Sequence, residues 1–221
     1  MGTIRTIPIM LSSGVDVFDA INHSNKFESV PELVGLSGIP IATDMALLLK
    51  CDGADQSTVF IDSSLSPKTI TNISNNAKIV TAQSVFGGAS GSFNGASAVL
   101  HTPYTSAFNI VNKDFTVGGR FRFNSFAALQ ILTSIDIYGI NFDFGIVIPD
   151  STHIEIWTNG TNDKLIATVS AMSINTWYDI TFERYSGTNK IYLNGVSQAS
   201  NTMAFTISSP DKVTIGADGG T

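Results

Sequence analysis

The segment from Trp177 to Gly195 reads Trp-Tyr-Asp-Ile-Thr-Phe-Glu-Arg-Tyr-Ser-Gly-Thr-Asn-Lys-Ile-Tyr-Leu-Asn-Gly. It admits one local solution. Ile180 and Phe182 alternate with Asp179, Thr181 and Glu183, which gives a strand with one apolar and one wet face. Ser186-Gly187-Thr188-Asn189 supplies a turn, Ile191-Tyr192-Leu193 runs back, and Asn194-Gly195 is a strong signal for a second hairpin. A chain carrying this meander must build an antiparallel sheet around it.

From Met45 onward the same grammar recurs. Short strands are expected at 45–51, 58–61, 78–81, 90–94, 98–101, 115–123, 128–136, 141–147, 153–158, 164–169, 177–185, 190–193, 202–207 and 212–216. No long helical period interrupts them, so the fold class is all-β, a two-sheet sandwich or jelly roll. In 115–123, Phe115, Val117, Phe121 and Phe123 share one face while Thr116, Arg120 and Arg122 share the other. Those four, with Ile180 and Phe182, are the expected core.

The wording of several stretches goes beyond periodicity. Trp-x-x-Ile-x-Phe-x-Arg, a short turn and Ile-Tyr-x-Asn-Gly resemble the laminin-G-like group of concanavalin A-like lectin/glucanase domains. Leu47–Gly53 with Phe60–Ser64, Phe86–Ser90 with Phe93–Gly95, Asp114–Ser125 and Val213–Gly216 occur in that family's order. The resemblance spans Asp44 to Thr221 and implies a two-sheet antiparallel jelly-roll sandwich over residues 44–221.

Residues 1–43 read differently and are expected to form an N-terminal arm. Pro8 interrupts the extended Ile4–Ile9 segment, Val15–Phe27 has a possible helical face, and Pro31, Gly35, Gly38 and Pro40 break the remainder of the arm. Leu33, Val34, Leu36, Ile39 and Ile41 are too apolar for an idle linker, which leaves two readings: a loosely packed leader, or an arm docking the sandwich onto a neighbour. On the docking reading, removing the arm leaves the sandwich folded. The family usually closes the sandwich with one more strand after the segment matching Val213–Gly216. Here Ala217–Thr221 supplies only the loop, so the Leu47–Lys50 edge is expected to be covered by the leader, by a neighbouring copy or by further chain, the last slightly favoured.

Composition removes whole classes of function. The net charge is −6 and the four arginines are dispersed, so a sequence-independent nucleic-acid surface is not expected. No apolar run reaches membrane-spanning length. Cys51 stands alone, which excludes an intrachain disulfide and suits an inert core residue. Asn22, Asn72 and Asn159 begin acceptor triplets for glycosylation that are read as chance. The start of the chain is not expected to act as a secretory signal, because Pro8 breaks its only apolar stretch. An exterior-type fold without that signal suits a virion component, assembled in the host cytoplasm as a decoration, fibre or adhesion protein. On that reading residues 1–43 contact other virion proteins and the domain is a homo-oligomer.

Catalysis is not expected. Glucanases of the resembling family use a Glu-x-Asp-x-x-Glu strand, and retaining hydrolysis needs two carboxyl groups about 5–5.5 Å apart. The only glutamates are Glu28, Glu32, Glu155 and Glu183, none suitably spaced, and Ser134-Ile135-Asp136 copies only the middle of the motif. No nucleophile elbow, zinc cluster or phosphate loop is present. Calcium is the one cofactor to weigh. Relatives hold it with loop carboxylates, and Asp52, Asp55 and Asp62 cluster in sequence, although the second signature lacks its usual acidic residue. For a cell-surface glycan, His153, Glu155 and Trp157 alternate with Ile154 and Ile156 and share one face. On it Trp157 stacks a sugar and Glu155 accepts hydroxyl hydrogen bonds, or else Trp157 is a buried edge residue satisfied by a backbone carbonyl.

Overall fold

Strand Phe115–Phe123 is built as its alternation requires: Phe115, Val117, Phe121 and Phe123 are buried, with Thr116, Arg120 and Arg122 only half-buried on the other face. The computed structural model describes residues 4–12, 45–85, 87–137, 140–158 and 161–216. Its strands are β1 (Ile4–Ser12), β2 (Met45–Leu49), β3 (Thr71–Ile73), β4 (Lys78–Val80), β5 (Ser90–Phe93), β6 (Val99–Pro103), β7 (Phe115–Phe123) and β8 (Gln130–Ile137). They continue with β9 (Ile140–Ile148), β10 (His153–Thr158), β11 (Thr161–Thr168), β12 (Trp177–Tyr185), β13 (Thr188–Leu193), β14 (Val196–Asn201) and β15 (Lys212–Ile215).

They form an all-β antiparallel sandwich. One sheet of eight strands runs β14-β13-β12-β7-β1-β5-β4, with β2 also paired to β1; the other, of seven, runs β11-β10-β9-β8-β15-β6-β3. The predicted meander is β12–β13–β14, in register from Tyr185↔Thr188 to Ile180↔Leu193. Ile180 and Phe182 are buried as expected, and β12 lies along β7 with Val117 opposite Phe182. The layers meet in an aromatic cluster. Phe115 and Phe182 of the first sheet, Phe144 of the second and Phe205 of the β14–β15 loop have ring centroids 5.5 to 5.7 Å apart.

The leader holds the main departure. The sequence pattern puts residues 4–12 in an arm outside the sandwich, yet β1 lies inside the first sheet, between β7 and the shorter strands β5 and β2. The division expected near Asp44 therefore does not hold for residues 4–12. Pro8 explains how a broken segment serves as an inner strand. Pairing with β5 ends at Thr6, pairing with β2 begins at Ile9, and the register with β7 shifts between Ile7 and Met10. The residue without an N–H sits where neither ladder needs one. The Leu47–Leu49 edge is likewise covered by the leader, Leu11↔Leu47 to Ile9↔Leu49, rather than by further chain. The helical run expected at Val15–Phe27 and the rest of the arm lie outside the described residues.

Smaller differences arise from polar chemistry. Residues 58–61 form no ladder; the segment touches β2 through one bridge, Leu49↔Asp62, with Val59 and Ile61 exposed. Residues 202–207 form no strand, whereas β14 and β3 do. Asn72 of β3 donates its amide to the carbonyls of Thr58 and Ala77, so the triplet that begins there serves as a loop brace.

Candidate functional site

The outer face of the seven-stranded sheet carries a continuous transverse row. Trp157 stands opposite Gly145, Gly145 opposite Ser134, Ser134 opposite Thr214, Thr214 opposite His101 and His101 opposite Thr71. Their sequence neighbours Ile156, Phe144, Ile135 and Val213 fill the core, so alternation turns this row outward. Six strands thus contribute one residue each to a line with an aromatic side chain at one end, a glycine beside it, then hydroxyls and an imidazole.

The middle of the row is tied together. Asp136 Oδ2 accepts hydrogen bonds from Ser134 Oγ at 2.8 Å and Thr214 Oγ1 at 2.7 Å, and the two hydroxyl oxygens lie 2.5 Å apart. All three residues are buried. This network clamps β8 to β15 and forms a floor rather than a reactive group. Lys212 lies opposite Asp136 in the register. Burial, and secondarily the Lys212 charge, push the His101 imidazole below its ordinary value, which favours the neutral ring.

Asp143, on the outward face of β9, is buried and accepts the Ser208 N–H at 2.7 Å. Its carboxyl is raised, chiefly by burial, against the lowering effect of Ser208. Its charge adds to the burial that raises the Tyr104 phenol.

All three residues expected to meet a sugar are half-buried on the outward face of β10. Trp157 donates its indole N–H to Glu155 Oε2 at 2.5 Å, which ties two of the three candidates together. His153 Nδ1 lies 2.9 Å from Asp150 Oδ2. The sequence pattern brought these three together but missed Gly145, Thr214 and His101, which join them only through strand order. Asp150 was missed as well, although Asp-x-Thr-His is a readable turn.

The calcium candidates do not converge. Asp62 Oδ1 accepts the N–H groups of Leu48 and Ser64 at 3.0 and 2.9 Å, and Oδ2 accepts Ser64 Oγ at 2.9 Å and the Lys68 N–H at 2.8 Å. That carboxylate is buried and organises the loop after β2. Asp55 accepts the N–H and the hydroxyl of Thr81, and the former bond chiefly lowers its pKa. Asp52 is exposed beside Gly87. Among the described residues no group of three potential ligands has the geometry for a metal. Glu155 and Glu183 stand on different sheets, each alternating with core residues, and so face away from each other.

Comparison with known proteins agrees with this architecture. Residues 90–221 match the laminin-G-like family described as the concanavalin A-like lectin/glucanases superfamily. No curated protein matches. Among solved structures, an alginate lyase from Corynebacterium sp. aligns at 15% identity and a TM-score of 0.37, over 70% of this chain and 66% of the lyase. A Bacillus licheniformis β-glucanase aligns at 15% identity and 0.27, over 54% and 67% of the two chains. The carbohydrate-binding module CBM66 from Bacillus subtilis aligns at 12% identity and 0.29, over 67% and 88%.

Proposed function

This chain belongs to the concanavalin A-like lectin/glucanases superfamily, and from that premise we propose that it is a non-catalytic carbohydrate-binding domain. Its ligand lies against the half-buried residues of β10 on the outer face of the seven-stranded sheet. The observation that carries this reading is the half-buried trio His153, Glu155 and Trp157 on one face of β10, since Gly145, Ser134 and Thr214 farther along the row are buried. A sugar ring offers an apolar face and a rim of hydroxyls, and β10 offers an indole beside a carboxylate and an imidazole. Glu155 anchors the indole with one oxygen, and its second remains to accept from a hydroxyl. No step of bond cleavage is assigned, because Asp136 is engaged by two hydroxyls and Glu155 by the indole. A glycan array followed by calorimetry on the hits tests the reading; saturable binding lost in Trp157→Ala supports it, and an array without a saturable ligand overturns it.

The setting we propose is the surface of a virus particle, as a decoration, fibre or adhesion protein. Its support is the apolar composition of Leu33–Ile41, between β1 and β2 in sequence, which suits contact with other virion proteins or a second copy. Mass spectrometry of purified particles tests it: this chain in stoichiometric amount supports the setting, and its absence removes it.

A further inference from the structure

We propose that Asp150 is a positioning residue that holds His153 with Nδ1–H turned toward it, so that Nε2 joins Glu155 as a second hydrogen-bond acceptor on β10 and the ligand is a neutral, hydroxyl-rich glycan. The statement about the ligand rests on the binding reading above; the statement about the ring does not.

The turn before β10 is organised around one carboxylate. Asp150 Oδ1 accepts the Thr152 N–H at 2.6 Å and the Thr152 hydroxyl at 2.7 Å. His153 Nδ1 lies 3.0 Å from Oδ1 and 2.9 Å from Oδ2. An ionised carboxylate only accepts, so the proton between the two groups belongs to Nδ1. The Thr152 bonds, ahead of His153 itself, hold the Asp150 carboxyl at about 2, which keeps it ionised across the working range. A neutral imidazole carries one N–H; with Nδ1 the donor, Nε2 presents a lone pair. The hydroxyl of Thr152 is 3.1 Å from Nδ1 but already donates to Asp150.

His153 and Glu155 are two positions apart on one face, a separation of about 6.6 Å along the strand. Both offer lone pairs, and both stand beside negative charge on Asp150 or Glu155. Hydroxyl groups complete such a surface because they donate. A uronate or sulfate meets like charge there and loses more in desolvation than it recovers.

Two measurements separate the parts of the proposal. Long-range 1H–15N correlation on the ligand-free protein at pH 8 reads the tautomer of His153 directly. Wild type and Asp150→Glu are expected to show protonated Nδ1 and bare Nε2, and Asp150→Asn a mixture. A predominant Nε2–H form in wild type, or an unchanged tautomer in Asp150→Asn, overturns the positioning role. Titrating the Trp157 indole signal with cellobiose, laminaribiose and maltose, and then with digalacturonate, reads the ligand class. At least one neutral disaccharide is expected to bind ten or more times tighter than the uronate. Equal or tighter binding of digalacturonate overturns the neutral-ligand assignment. Failure of every sugar to shift the indole overturns the binding reading together with that assignment, while the tautomer result stands.

Discussion

Gly216 lies against the ring of Phe93, and no side chain fits between them. A β-carbon built on Gly216 would come within 2.8 Å of Phe93 Cε1 and 3.0 Å of the Ala98 carbonyl, and the backbone there has φ of +92°. Phe93 is itself fully buried, so the ring has no room to withdraw. Gly216→Ala combines a left-handed backbone penalty with overpacking and is expected to cost about 2–4 kcal/mol. Chemical denaturation of the variant beside wild type measures it.

Asp62 is a structural carboxylate. Its four acceptor contacts, to Leu48, Ser64 and Lys68, hold the loop after β2. Asp62→Ala leaves buried donors unpaired and is expected to lower stability by about 2–4 kcal/mol. Calcium or a chelator is expected to leave the wild-type melting temperature unchanged; a calcium-dependent rise in Tm lost in Asp62→Ala would reassign the residue as a ligand.

Asp143 sets a pH dependence whose sign is fixed by burial. Its carboxyl in the folded chain lies above the ordinary 3.8, so between these two values the folded state binds more proton than the unfolded state. Stability therefore falls as pH rises through that window and is lower at neutral pH. Asp143→Asn keeps an acceptor for the Ser208 N–H and removes the charge. The variant is expected to melt above wild type at pH 7, with the gap closing toward pH 3, as thermal scans across that range will record.

Trp157→Ala is expected to weaken glycan binding at least tenfold, equivalent to about 1.4 kcal/mol, without unfolding the domain. Glu155→Gln keeps an acceptor for the indole and is expected to weaken binding less than Trp157→Ala. Calorimetry on the best array hit gives both values, and equal losses would mean that the indole serves only to be held.

Deleting residues 1–12 removes β1, which leaves β7 without one of its two neighbours and β2 without its ladder. The truncated chain is expected to be insoluble or to lack a cooperative melt, because unpaired edges beside a core attract other chains. A soluble, two-state truncated protein would show that the sandwich closes without β1.

The repeating pattern was legible wherever one face of a strand meets the core and the other meets water. Strands 115–123 and 177–185 have their read boundaries, and all six core residues chosen from alternation are buried. Strand β1 was not legible, since Pro8 argues against an inner strand until the break between β5 and β2 is known. The candidate site divided along the same line. His153, Glu155 and Trp157 share a face through local spacing, whereas Thr214 and His101 join them through cross-strand partners far apart in the chain. Asp62 was hard to read because a carboxylate saturated by backbone donors and a metal ligand look alike in sequence.

The place of β1 also shapes how this chain acquires its structure. Ile4 pairs with Phe123, about 120 positions later, so the first described strand emerges from the ribosome long before its main partner exists. During that interval its donors and acceptors must be kept from other chains. Folding is then gated by the synthesis of β7, and slower elongation before that strand lengthens the exposure that chaperones have to cover.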